Sequence, residues 1–336
     1  DDMENGAIIR RIDTGAGSIV NGSCGDSSSN CNGLSSPAIA DLNGDGTIDR
    51  IWAGDLHGNM WAFDVSGTNK TNWSSAYGAA PLFRACSGSP CTTSNRQPIT
   101  SRPAIARHGS QKGQATAPNI MVFFGTGQYI AQGDNTTTGI QSFYGVWDVD
   151  MHNTTPRTIS TPPLTRSNLA QQTISLHTTT IGGKPVKVRS ISNNPVDYTG
   201  TAPAQFGWFM DLPDSKERVV VTPHTLGKIV FFNTLIPTTD ACGGGSGWLM
   251  SVKQINGGEP DESVIDVDGN GVVADPADIV GGHVVVGVKV DGMPTESRFI
   301  SNTRVTATSR GNIKFENIRP LPASPPSRMS WTDLLD

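Results

Sequence analysis

The sequence predicts an all-β chain folded as a β-propeller with long loop insertions. Three observations lead there. The 336 residues hold 38 Gly and 22 Pro, which suits frequent turns and leaves few places for a long helix. The acids divide into 24 Asp and only 6 Glu. Asp favours loops, caps and hard-cation sites, whereas Glu favours helix interiors. Short apolar strands recur, and several pair a Trp with a small polar turn, as repeated blades do. The same composition excludes a helical bundle, a coiled coil and a collagen-like repeat. A formal net charge of −5 argues against nucleic acid held on a broad basic surface.

In chain order, residues 7–12 read as an apolar–basic strand inside a blade, so the chain is expected to begin mid-blade and to lack its first blades. Residues 51–53 and 60–65 flank Gly58-Asn59 and read as a hairpin. Further strands are expected at 120–125, 143–149, 206–212, 218–222, 228–233, 248–252, 283–290 and 312–316. Trp61, Trp147, Trp208 and Trp248 mark the blade echoes and are expected in the core. Residues 154–175 read as an extended excursion. The expected division is a propeller over 1–318, with loops at 41–49 and 266–278, and a Pro-rich extended tail over 319–336. No run of about 18 consecutive apolar residues occurs, so no transmembrane helix is expected.

Cys24 and Cys31 bracket a Gly/Ser/Asn loop, and Cys86 and Cys91 bracket Ser-Gly-Ser-Pro. Both pairs, Cys24–Cys31 and Cys86–Cys91, read as small disulfide staples of an exported protein. Neither has the C-x2-C spacing of a zinc site. Cys242 is left over.

The chemistry concentrates in two acidic loops. In the first, Asp41, Asn43, Asp45 and Asp49 occupy positions 1, 3, 5 and 9, Thr47 offers a backbone carbonyl at position 7, and Gly46 permits the bend. An oxygen-only ligand set wrapped this way selects calcium over transition metals. Position 12 is Trp52, so the bidentate Glu of a helical EF-hand is missing. In the second loop, Asp266, Asp268 and Asn270 repeat positions 1, 3 and 5, with Val272 supplying a carbonyl. Ala274 stands at position 9, and Asp275 or Asp278 is expected to close the shell from a longer loop. No G-x-S-x-G elbow, H-E-x-x-H helix or Walker loop occurs, and the 6 His are scattered singly. No catalytic residue and no organic cofactor is expected.

The segment 41–64, Asp-Leu-Asn-Gly-Asp-Gly-Thr-Ile-Asp-Arg-Ile-Trp-Ala-Gly-Asp-Leu-His-Gly-Asn-Met-Trp-Ala-Phe-Asp, resembles the signature of the PilC/PilY family of type IV pilus tip-associated proteins. Further matches are Phe123-Phe-Gly-Thr-Gly-Gln-Tyr129, Gly207-Trp-Phe-Met-Asp-Leu-Pro213, Phe231-Phe-Asn-Thr-Leu-Ile-Pro237 and the closing Arg328-Met-Ser-Trp331. The resemblance implies a modified, quinoprotein-like β-propeller from the C-terminal part of such a protein. It implies a non-enzymatic, calcium-binding pilus biogenesis factor and adhesin of the pilus (fimbrium), acting in extension and retraction (twitching motility), surface attachment and virulence. It implies export to the pilus tip, outer-membrane surface or periplasm. Its implied partners are minor pilins of the tip complex and a host-cell or abiotic surface. The family's calcium loop falls on Asp41, Asn43, Asp45, Thr47 and Asp49; Ala274 departs from the pattern of the second. Two alternatives join a propeller to calcium: a quinoprotein-like dehydrogenase, and an integrin-α-like adhesion propeller.

Overall fold

Four multi-stranded sheets form the blades of a propeller-like, all-β fold. The computed structural model describes residues 6–18, 30–109, 120–149, 162–199, 204–239 and 244–319. The first blade runs Ala38–Ala40, Arg50–Gly54, Asn59–Asp64 and Ser74–Ser75 in spatial order, with Phe83–Arg84 on the same third strand. The second blade orders Ala104–Arg107, Ile120–Gly125, Ser142–Asp148 and Gly207–Asp211, and closes on Ala170–Gln172 in parallel. The third orders Ile174–Ile181, Lys184–Ile191, Gly287–Asp291, Ser246–Lys253, Ile229–Ile236 and His224–Leu226. The fourth is a three-stranded meander of Arg298–Ile300, Thr303–Ala307 and Ile313–Asn317.

The blade-echo tryptophans are buried. Trp61, Trp147, Trp208 and Trp248 are each at most 2% exposed. Three of them also place the polar tip: the Trp61 indole donates to Asp55, Trp208 to the Gln254 carbonyl and Trp248 to Asp214. Phe143 of the second blade stacks on Phe232 of the third, with ring centroids 3.8 Å apart. The blades are also clamped by buried cations. Arg50 of the first blade holds Asp148 of the second at 2.9 Å, with side chains 8% and 2% exposed. Arg304 of the fourth pairs with Glu316 and donates to the Phe232 carbonyl of the third.

Several expectations are corrected. Residues 7–12 form no strand; Ile12, with Ala16 just after the segment, packs against Trp61 and Phe63. Residues 218–222 form no strand either. Arg218 makes a single bridge to Leu235, and its guanidinium donates to the carbonyls of Gln128, Asp134 and Thr137 instead. The expected strand 283–290 is two pieces, His283–Val284 and Gly287–Asp291, in different sheets. The end of the 154–175 excursion is ordered, because Ala170–Gln172 and Ile174–Ile181 are strands. Residues 150–161 lie outside the described residues, as do Cys24, Cys242 and the tail 320–336. Cys86 and Cys91 are disulfide-bonded, with Cα atoms 5.5 Å apart. No helix among the described residues is long and apolar enough to cross a membrane.

Candidate metal centre

The first acidic loop is the connection of a hairpin in the first blade. Asp49 N–H donates to the Ala40 carbonyl at 2.9 Å, so the ladder sets the two loop ends side by side. Within the loop, Asp41 Oδ1 accepts the Gly44 N–H and Oδ2 accepts the Gly46 N–H, each at 2.7 Å. Gly44 and Gly46 sit at φ of +81° and +89°, a region that L side chains rarely adopt. Asp49 closes the loop: its Oδ2 accepts the Leu42 N–H at 2.7 Å and the Asn43 N–H at 3.3 Å. Asn43 Oδ1 accepts from Asp45 N–H, and Asp45 Oδ1 accepts from the N–H and hydroxyl of Thr47.

The second loop leaves the third blade and is built on the same plan. Asp266 Oδ1 accepts the Gly269 N–H at 2.7 Å and Oδ2 accepts the Gly271 N–H at 2.9 Å. Gly269 and Gly271 have φ of +77° and +89°. Asn270 Oδ1 accepts from Val272 N–H. The closing residue is Asp278. Its Oδ1 accepts the Val267 N–H at 2.7 Å, the bond that Asp49 makes to Leu42, and its Oδ2 accepts the Ala274 N–H at 2.8 Å. Asp275 has a different role. It caps the short 3-10 turn Pro276–Asp278, accepting from Ala277 N–H, and its other oxygen accepts from the Asn270 amide.

Asp266, Asp268 and Asp278 bring one carboxylate oxygen each within 4.8 Å of one another. Among the described residues this is the one such group, so Asp41, Asp45 and Asp49 stand further apart. An acidic triad of this span can hold a metal ion. Asp266 and Asp278 are 3% and 0% exposed. The triad is supported from the fourth blade, a contact that the sequence did not signal. Asn317 donates its amide to Asp266 Oδ2 at 3.2 Å and accepts the Asp266 N–H on its carbonyl at 2.9 Å.

Each loop holds one carboxyl above and one below the usual range. Burial raises Asp49, outweighing the Leu42 and Asn43 N–H groups that stabilise its charge, and the negative Asp45 and Asp41 add to the rise. Burial likewise raises Asp278 against the N–H groups of Val267 and Ala274. The Thr47 hydroxyl and N–H lower Asp45, and the Asn270 amide lowers Asp275. A cation in either loop would offset the cost of ionising the buried member.

Family comparison agrees with the architecture. The family model for the PilY1 beta-propeller domain matches residues 1–183. The type IV pilus biogenesis factor PilY1 of Pseudomonas aeruginosa is 31% identical across 93% of this chain and 27% of its own length. A PilY1 homolog of Xylella fastidiosa is 29% identical across 76% of this chain and 16% of its own length. The chain thus spans about a quarter or less of these relatives. The crystal structure of the Pseudomonas aeruginosa PilY1 C-terminal domain superposes with a TM-score of 0.73 at 28% identity, covering 96% of this chain and 66% of that one. Sequence match and superposition together place the chain in the PilY1 family, as a member of its C-terminal β-propeller domain.

Proposed function

We propose that the chain is a calcium-binding, non-enzymatic part of an exported type IV pilus biogenesis factor that also acts as a tip-associated adhesin. Family membership supports the pilus role. The observation that carries the calcium reading is the shared scaffold of the two loops. In both, the first Asp accepts N–H groups three and five residues on, and a buried Asp closes the loop on the second residue's N–H.

The donor set fits calcium. Asp41, Asn43, Asp45, Asp49 and the Thr47 carbonyl offer only hard oxygen in the first loop. Asp266, Asp268, Asp278, Asn270 and the Val272 carbonyl do so in the second, with Asp275 beside them. A carboxylate has about four lone-pair sites, so the N–H bonds to Asp41 and Asp266 leave acceptor capacity for a cation. Calcium takes many oxygens in a flexible shell, whereas magnesium demands a tight octahedron and keeps several waters, so a loop that offers this many oxygens favours calcium. Bound calcium would neutralise each set of carboxylates and fix the loop against its blade. An ordered loop then offers minor pilins or the pilus machinery a defined surface, which couples calcium to extension, retraction and attachment.

The test is calorimetric titration of calcium into chelator-stripped protein, with Asp49→Ala and Asp278→Ala in parallel. Two sites are expected, each variant losing one. Absence of binding at millimolar calcium would reduce both loops to turn chemistry. Unimpaired pilus extension by a full-length protein lacking all the loop carboxylates would remove the functional half of the reading.

A further inference from the structure

An Asn followed by Gly can react with its own backbone. The Gly nitrogen attacks the side-chain amide, and the missing Cβ leaves that approach open. Among the described residues the pair occurs at Asn32, Asn43, Asn256 and Asn270. The reaction draws on three partners. One accepts the proton of the attacking nitrogen, one donates to the amide oxygen as it gains charge, and one holds the departing nitrogen.

Asn270 in the second acidic loop has all three. The Gly271 N–H, the attacking group, donates to Asp266 Oδ2 at 2.9 Å. Asn270 Oδ1 accepts the Val272 N–H at 2.7 Å. The Asn270 amide nitrogen donates to Asp268 Oδ2 at 3.1 Å and to Asp275 Oδ2 at 2.6 Å. Each of the other pairs lacks a part. At Asn43 the Gly44 N–H donates to Asp41 and Oδ1 accepts from Asp45 N–H, but the amide nitrogen meets no carboxylate among the described residues. At Asn32 the amide reaches Asp55 at 3.3 Å, but no carboxylate among the described residues accepts the Gly33 N–H. Asn256 has the oxygen donor, Gly258 N–H, and no carboxylate at all: Gly257 N–H donates to the Lys253 carbonyl, and the amide to Asn193 and the Asn194 carbonyl. Gly257 is also packed against the Trp208 ring.

We propose that Asn270 is a self-deamidation site, converted by the hydrogen bonds of its own loop to a succinimide and then to Asp or isoaspartate. The Gly271 nitrogen forms a bond to Cγ of Asn270, and its proton passes along the existing hydrogen bond to Asp266 Oδ2. The Val272 N–H steadies the oxyanion on Oδ1. The Cγ–Nδ2 bond then breaks. The proton is delivered through water to Nδ2, which departs as ammonia from between Asp268 and Asp275. Water next opens the imide ring. Cleavage of the new Cγ–N bond leaves an ordinary backbone with Asp at 270. Cleavage of the original peptide C–N bond leaves isoaspartate, with an extra methylene in the main chain. The first product puts a carboxylate at the loop position that Asp45 holds in the first loop. The second lengthens the backbone inside the turn that Asn270 makes with Val272. All the groups used are present in the ion-free loop, so the modification is independent of calcium binding.

Incubation of the folded chain in chelator at neutral pH, followed by peptide mapping in a mass spectrometer, tests this. A free peptide of residues 262–279 gives the rate of the same sequence without the fold. Asn270 is expected to deamidate about tenfold faster in the folded chain than in the peptide, a modest share of what a placed base contributes. Asn256 is expected to stay unreacted over the same period. Asp266→Asn should bring Asn270 down to the peptide rate. Asp275→Asn keeps both N–H bonds to Asp266 and should also slow the reaction, which guards against an Asp266→Asn protein that fails to fold. A folded-chain rate no greater than that of the peptide, or an unchanged rate in both variants, would overturn the proposal.

Discussion

The two acidic loops share a scaffold and differ in how they are tied to the molecule. The first is a hairpin connection whose last residue, Asp49, is followed directly by Arg50, and Arg50 reaches across to the second blade. The second is a long insertion held by buried Val264, Ile265 and Val267 around Asp266 and by Asn317 of the fourth blade. One loop is anchored by a buried charge pair, the other by apolar packing and an amide. The difference teaches that the hydrogen-bond plan of such a loop is local, while the rigidity of its ends comes from whichever blade lies behind it.

The largest effect should come from breaking the first anchor. Arg50→Met leaves Asp148 buried, with Trp52 and Tyr77 as its side-chain donors among the described residues. Removing one partner of a buried pair costs about 3–5 kcal/mol. Chemical denaturation should show that loss, and calcium should then recover less stability through the first loop than through the second. An Arg50→Met protein that kept both its stability and its first-loop calcium affinity would show the anchor to be idle.

Next is the closing residue. Asp278→Ala leaves the buried Val267 N–H without its acceptor, at a cost of about 1–3 kcal/mol. It should abolish calcium binding at the second loop and leave the first intact. Asn317→Ala should lower second-loop affinity by a smaller factor, because it removes only an orienting donor to Asp266.

Much of this was legible in the sequence. The spacing of Asp41, Asn43, Asp45 and Asp49 marked the first loop as a tight turn, because its hydrogen-bonding side chains and its glycines are contiguous. The strand over 120–125 matched its observed bounds, since a fully buried run ending in Gly is unambiguous. The choice between Asp275 and Asp278 was not legible. It depends on the short hairpin Ile279–Val280 with His283–Val284, which carries Asp278 back under the loop, where its carbonyl accepts the Val285 N–H. Asn317 was invisible because it lies 51 residues from Asp266 in sequence and beside it only through the fourth blade. The hairpin Ile174–Ile181 with Lys184–Ile191 had a signal, Gly182-Gly183, masked by the Ser/Thr-rich run before it.

The pH response separates the ion-free loops from the loaded ones. Asp49 and Asp278 have folded values above their unfolded ones. Their contribution to stability is therefore fully present below the unfolded value, about 3.9, and is lost as pH rises through the raised folded value. Asp45 and Asp275 run the opposite way: their contribution is present above the unfolded value and lost as pH falls through the lowered one. Chelated protein should thus lose stability on going from about pH 4 to pH 7 at the buried pair. Saturating calcium should remove that loss, so the calcium-induced rise in melting temperature should shrink as pH is lowered. A rise that is flat across this range would mean that the buried carboxyls are not calcium ligands.

The smallest effect should be that of Asp275→Ala. In the structure Asp275 caps a single 3-10 turn and accepts from Asn270, both near the surface. Loss of a cap this close to solvent should change stability little, and second-loop calcium affinity should change by less than a factor of ten. The variant is nonetheless the sharpest probe of how far the two loops correspond. The second loop reaches its closing acid four residues later than the first, and Asp275 occupies the stretch between. If Asp275→Ala weakened calcium as much as Asp278→Ala, the Asn270 amide would have to release Asp275 on loading, and the loop would close on two acids where the first closes on one. The shared scaffold would then describe only the ion-free state, and the likeness of the two loops would end where binding begins.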